Sequence, residues 1–411
     1  MNKKILVTVF FTVFIDLLGM SILIPIIPQL LANPASSFYL LPHGWSVGQG
    51  YILLGFLTAI YPFMQFLATP LLGELSDRFG RKPVLAISLF GTFLSYIVFA
   101  IGIITHNIPL LFISRAFDGI TGGNIAVAQA AIADITTPDN RAKNFGLIGA
   151  AFGLGFILGP FLGGKLSDPS IVHWFDATTP FWFAAILSLA NVILVLFILP
   201  ETLKKRATEL SIHWAQSIKN IIKAFNLPGI TPILGTVFMF QGGFTFFTTF
   251  FGVFLITRYG FHQGDIGSYF AFVGICIAIS QAFLTRAISK RFTEKNILRY
   301  TIIVTGVIIL CQFIPTTWIG LAIVVPFFAA FMGLSQANIT SLVSRSVGQD
   351  SQGEILGINA SVQALAQTIP PILSGYIAAT IASYAPIAIS GITIILAGIF
   401  FIIFYDKIHS R

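Results

Sequence analysis

Apolar residues in this chain fall in long runs separated by short polar links, and the runs show no in–out alternation. A helix needs about 20 largely apolar residues to cross a ~30 Å hydrocarbon layer. Twelve stretches reach that length, approximately 5–32, 50–74, 83–105, 109–133, 143–168, 179–200, 229–257, 265–289, 296–315, 317–345, 353–380 and 384–405. Barrel strands are about 10 residues long and alternate, so continuous helices fit better. The predicted fold is an all-α polytopic membrane protein with twelve transmembrane helices. The first run follows Lys3 and Lys4, but it is too long for a signal peptide, holds Asp16 and has no prompt cleavage site; it reads as an uncleaved first span.

The link from Glu201 to Pro228 divides the spans six and six. The expected organisation is therefore a six-helix bundle over 1–200, a linker over 201–228 and a second bundle over 229–411. Within the linker, Ile212, Ile218, Ile221, Ile222 and Phe225 share one face, with Lys219, Asn220 and Lys223 elsewhere. That pattern predicts a short amphipathic helix lying in the cytoplasmic membrane interface.

Composition supports the membrane reading. Apolar residues make up 56% of the 411 positions and charged residues 9%, with 42 phenylalanines. So few charges cannot coat soluble domains, and disordered chains are rich in charge and poor in aromatics. The two cysteines, Cys276 and Cys311, lie in apolar runs, which excludes a disulfide scaffold. The net charge of +8 is sorted by position rather than spread. All but three of the 23 lysines and arginines fall on one side of the predicted topology; Lys165 and Arg258 fall on the other, and Arg115 lies inside a span. By the positive-inside rule, both termini are cytoplasmic and the protein sits in the cell (inner or plasma) membrane. The charge is thus a topology signal, and no nucleic-acid partner is expected.

The two halves repeat. Leu75-Ser-Asp-Arg-Phe-Gly-Arg-Lys-Pro-Val-Leu85 aligns without gaps to Ile288-Ser-Lys-Arg-Phe-Thr-Glu-Lys-Asn-Ile-Leu298, and five of the eleven positions are identical. A fainter echo pairs Gly159-Pro160 and Gly164 with Pro370-Pro371 and Gly375. The displacements, 213 and 211 residues, nearly agree. Two six-span halves made by duplication are a transporter architecture, with substrate bound near mid-membrane.

Ionisable groups at mid-membrane cost at least ~2.5–3.5 kcal/mol each and are functional candidates. Only Asp16 in the first span and Arg115 and Asp118 in the fourth qualify, the latter two three apart on one helical face. A carboxylate in low dielectric is balanced between the cost of its charge and the attraction of a nearby arginine. Opening such a site to water could load and release a proton, so Asp16, Arg115 and Asp118 are the candidates for proton coupling; permanent structural ion pairing is the alternative. The second half offers amides, of which Gln241, Gln336, Asn338 and Gln363 are candidate substrate contacts. A cluster from Phe238 to Phe251 points either to a cavity for an amphiphilic aromatic substrate or to lipid-facing side chains.

Four segments resemble motifs of the major facilitator superfamily. Gly73-Glu-Leu-Ser-Asp77-Arg78-Phe-Gly80-Arg81-Lys82-Pro resembles its signature loop between the second and third helices. The run from Gly149 through Gly153, Gly159, Pro160 and Gly163 to Gly164 resembles the fifth-helix motif of its drug/proton antiporters. Arg115-Ala-Phe-Asp118-Gly119 resembles the fourth-helix motif, and Phe14-Ile-Asp16-Leu-Leu-Gly19 with Pro25 and Pro28 the first-helix aspartate motif. The pattern is most similar to the tetracycline-resistance branch. Asp77 is placed to cap or face the N-terminus of a neighbouring helix, where negative charge is favoured, and Arg81 to pair with Asp134; the resemblance implies that such a pairing is a cytoplasmic gate. It also implies a fifth helix bent at Gly159-Pro160. Tetracycline/metal exchangers use acids in the third and ninth helices and a histidine in the eighth, and this chain has none of these. In the repeated loop Lys290 replaces Asp77 and Thr293 replaces Gly80, so the first copy is the expected gate.

Gly159-Pro-Phe-Leu-Gly-Gly164-Lys165-Leu166 approaches a phosphate-binding loop but lacks the Ser/Thr and lies in a span, and no metal-ligand or nucleophile–base spacing occurs. The reading is a non-enzymatic secondary transporter without metal or cofactor. It would export an amphiphilic, drug-like compound in exchange for protons, working as a monomer in the lipid bilayer. A transporter of a specific metabolite (sugar, siderophore or amino-acid derivative) or a non-transporting receptor or scaffold are the alternatives.

Overall fold

A computed structural model describes residues 3–136, 141–203, 206, 216–227, 229–346 and 352–409. Sixteen α-helical segments are present among them and no strand. They are α1 (Lys3–Ile22), α2 (Ile27–Leu31), α3 (Val47–Phe79), α4 (Arg81–Ile104), α5 (Ile108–Thr121), α6 (Asn124–Ile135), α7 (Arg141–Leu166) and α8 (Thr179–Ile198). After them come α9 (Gln216–Phe225), α10 (Thr231–Tyr259), α11 (Gln263–Ile279), α12 (Arg286–Ser289), α13 (Glu294–Cys311), α14 (Trp318–Arg345), α15 (Gln352–Thr380) and α16 (Ala385–His409).

Eight stretches among the described residues are long and apolar enough to cross a membrane. The remaining four spans are α5 with α6, α7, α13 and α15. Three spans are less regular than their hydropathy implies. The first is interrupted at 23–26, next to Pro25 and Pro28, which cannot supply backbone donors. The fourth breaks at Gly122 and Gly123 between α5 and α6. In the eighth, a π-helical segment, Ser280–Thr285, joins α11 to α12. The seventh runs unbroken and ends at Gly260, whose φ of 67° is a left-handed cap that glycine adopts freely.

The chain forms two compact units. One comprises Met1–His43, Ile60–Gln216 and His262–Ala271; the other comprises Gly44–Ala59, Ser217–Phe261 and Phe272–Arg411. Each unit therefore takes in one helix end from the other sequence half, and the sequence echo explains how. In the first unit a side chain at Gly267 would strike the Pro160 carbonyl and the Gly164 backbone. In the second, a side chain at Gly55 would strike the Pro371 carbonyl and the Gly375 backbone. The same Pro–Gly pair thus receives a partner glycine twice, and small residues permit this close helix approach.

The Phe cluster of α10 divides: Phe238 and Phe244 are half-buried, and the others are buried. Phe240, Phe247, Phe250 and Phe251 are fully buried, and Phe247 stacks against Phe251 at 4.3 Å and Phe328 at 5.2 Å. They form the packed core of the second unit, because the aromatic bulk is matched by Phe328 of α14. In the linker, Ile212 and Pro228 lie outside the described residues. In α9, Ile218, Ile222 and Phe225 remain exposed along one stripe, while Ser217 and Ala224 are buried. Between α7 and α8, Asp176 accepts hydrogen bonds from the Thr178 and Thr179 backbones at 2.8 and 3.0 Å. Burial pushes its carboxyl up, but the bonds from Thr178 and Thr179 outweigh it and hold the group below its ordinary value.

Candidate functional site

Five elements of the first unit converge on the three membrane-embedded charges. Asp16 of α1 is 5% exposed and accepts a hydrogen bond from the Asn124 amide at 2.8 Å. Asn124 can reach it because α6 restarts there, just past the break at Gly122 and Gly123. That break is itself held by Gln65 of α3, whose amide donates to the Gly122 carbonyl at 2.7 Å. Arg115 and Asp118 of α5 form a buried ion pair at 2.5 Å. The Arg115 guanidinium also lies 4.4 Å from the centre of the Tyr61 ring, a cation–π contact. Its Nε is buried without a hydrogen-bond partner.

Two buried tyrosines complete the setting. Tyr61 of α3 and Tyr96 of α4 are both buried, with Tyr61 against the Arg115 guanidinium. Glycines make room for them: a side chain at Gly19 would collide with the Tyr96 hydroxyl, and one at Gly122 would meet the Tyr61 hydroxyl at 2.5 Å. Asp118 and Asp16 thus differ in kind. The first is neutralised by a fixed cation, whereas the second, among the described residues, has an amide and no ion-pair partner.

A second cluster closes the end of this unit around the α3–α4 turn. Gly80 makes the turn with φ of 110°, a conformation that side chains resist. Arg81 is 7% exposed and holds Asp77 at 2.6 Å, Asp134 at 3.1 Å and the Ser76 hydroxyl at 2.6 Å. Asp77 pairs with Arg81. The α4 N-terminus is capped by Glu201, which accepts from the Arg81 and Lys82 backbones at 2.9 and 3.3 Å. Arg78 stands exposed over the Phe79 ring, and Gly73 faces open space.

The glycines of α7 divide by what they face. Side chains at Gly159 and Gly163 would collide with Ser21 and Ile22 of α1, and Gly164 meets α11. Gly153 faces open space, and the surroundings of Gly149 lie outside the described residues. The helix continues through Pro160. Of the four amides of the second unit, Asn338 is 3% exposed and lines a cavity beside α12 and the α13 N-terminus, a cavity that Gln241, Gln336 and Gln363 do not line.

Comparison with known proteins places this geometry. Residues 9–371 match the sequence profile of the Major Facilitator Superfamily. The chain belongs to the Major Facilitator Superfamily. It is 31% identical over 388 residues to the class C tetracycline resistance protein of Escherichia coli, covering 93% of this chain and 91% of that one. It is 27% identical over 378 residues to multidrug resistance protein 2 of Bacillus subtilis (strain 168), covering 91% and 88%. Its fold matches that of a D-xylose–proton symporter with a TM-score of 0.78, covering 99% of both chains at 17% identity.

Within this superfamily scaffold, the sequence motifs locate Asp16, Arg115, Asp118 and Arg81 but miss their neutral partners. Tyr61, Gln65, Tyr96 and Asn124 are ordinary polar residues on three elements, and only packing brings them together. Glu201 was invisible because it lies 120 residues from the backbone it caps. The Arg81–Asp134 pair recurs in the structure with its charges exchanged, as Glu294 and Arg345, also 3.1 Å apart. These positions are displaced by 213 and 211 residues, the spacing of the internal repeat.

Proposed function

We propose that this protein exports an amphiphilic, drug-like compound across the cell membrane in exchange for protons, by alternating access. The observation that carries the reading is the asymmetry between two buried acids a few helices apart. Asp118 is already neutralised by Arg115, while Asp16, among the described residues, is held by the Asn124 amide and has no ion-pair partner. A carboxylate without a cation is the group a proton can neutralise, so Asp16 is the exchanging site and Arg115–Asp118 the fixed pair beside it. The similarity to tetracycline and multidrug resistance proteins supports efflux of a lipophilic compound. The missing acids and histidine of the metal-dependent exchangers favour a substrate that is not a metal chelate.

The cluster of Arg81, Asp77, Asp134 and Glu201 is assigned as the cytoplasmic gate, with both termini cytoplasmic by the charge distribution. A gate built from several short ionic contacts on one arginine can break as a unit when helices shift. The test is accumulation of ethidium, tetracycline and xylose by everted membrane vesicles containing the protein. The lipophilic cation is expected to accumulate while respiration maintains a proton gradient, and to leak away when a protonophore collapses it. Accumulation that is indifferent to the protonophore would refute proton exchange, and accumulation of the sugar alone would refute the substrate class.

A further inference from the structure

The second loop copy encloses a cavity of about 450 Å³ at the end of the second unit, between α12, the start of α13 and the end of α14. Its lining includes Thr285, Ser289, Lys290, Arg291, Asn338 and Arg345. We propose that this cavity binds a phosphate group, carried by a membrane lipid headgroup or by a soluble phosphate compound, at a site separate from the transport pathway.

The two copies of the repeated loop differ in charge. In the first copy the buried arginine is neutralised by the chain's own acids: Arg81 holds Asp77 and Asp134, while Glu201 caps the following helix. In the second copy Lys290 stands where Asp77 does, so one acid has become a cation. Glu294 is the one acid in the cavity lining, and it is committed to Arg345 at 3.1 Å and to the Ser341 hydroxyl at 2.9 Å. Lys290 and Arg291 have no ion-pair partner among the described residues. The lining therefore carries an excess of positive charge that the first copy does not have.

The neutral groups point the same way. Among the described residues the buried Thr285 hydroxyl has no hydrogen-bond partner, a costly arrangement unless a ligand supplies an acceptor. The π-helical segment ends at Thr285, and such segments are frequent at functional sites. Ser289 reaches Asn338 only at 3.4 Å, leaving its hydroxyl available for a shorter bond. Guanidinium, ammonium and hydroxyl donors around one space suit an anion with several acceptor oxygens and a compact charge. Basic pockets between transmembrane helices at the membrane boundary are also where phospholipid headgroups are held.

The test is thermal unfolding of the full-length protein in neutral detergent. It is titrated in separate arms with inorganic phosphate and with short-chain phosphatidylglycerol, at chloride-balanced ionic strength. Wild type should be stabilised saturably by at least one probe. A response to inorganic phosphate assigns a soluble ligand, and a response to phosphatidylglycerol alone assigns a headgroup. In Lys290→Gln/Arg291→Gln, whose altered side chains are exposed and leave packing intact, the half-saturating concentration should rise about tenfold or more. Lys219→Gln on α9 should leave the titration unchanged. The proposal is overturned if wild type responds to neither probe, or if the double variant or Lys219→Gln responds like the other.

Discussion

At the scale of single residues, the contrast between Asp16 and Asp118 depends on what each carboxylate touches. Both were legible in the sequence, because an acid inside an apolar run stands out. What each would meet was not, since Asn124, Tyr61 and Tyr96 carry no charge and belong to other helices. Asp176 gives an independent residue-scale check outside the membrane. Its folded-state pKa lies below the ordinary 3.8, so it stabilises the fold above that value and the contribution fades as pH falls through the folded pKa. Asp176→Ala should therefore lower the unfolding temperature by a constant amount between about pH 5 and 7, with the gap closing below about pH 4. A gap that widens on acidification would mean the Thr178 and Thr179 bonds do not hold the carboxylate.

Among the elements, α7 shows why glycine patterns are read incompletely from sequence. The motif presents its glycines as equivalent, yet Gly159 and Gly163 face α1 while Gly153 faces open space. Only the packing partner distinguishes them. Gly159→Leu should cost about 1–3 kcal/mol by overpacking the α1 contact, with Gly153→Leu close to neutral. Thermal unfolding of the two purified variants decides it; equal losses would contradict the α1–α7 packing. The loop repeat was likewise half legible. The alignment covered residues 288–298, but Arg345 lay beyond it, so the exchanged ion pair with Glu294 became visible only when α13 met α14. Interruptions at 23–26, at Gly122–Gly123 and at Ser280–Thr285 also escaped the hydropathy pattern, because each changes backbone path without changing apolarity.

For the whole molecule, scarcity of charge made the architecture readable. The twelve spans follow from where the few polar residues fall. The exchange of helix ends between units did not, since it rests on glycine-to-backbone contacts that hydropathy cannot register. Function at this scale reduces to whether one buried carboxylate couples proton movement to substrate movement. The most direct measurement is ethidium flux in proteoliposomes under an imposed pH gradient, comparing wild type with Asp16→Asn, whose amide imitates the protonated acid. Wild type should accumulate substrate in response to the gradient. Asp16→Asn should still exchange labelled for unlabelled substrate but show no gradient-driven accumulation. If the variant keeps the wild-type response to the gradient, Asp16 is not the exchanging site and the central claim is contradicted.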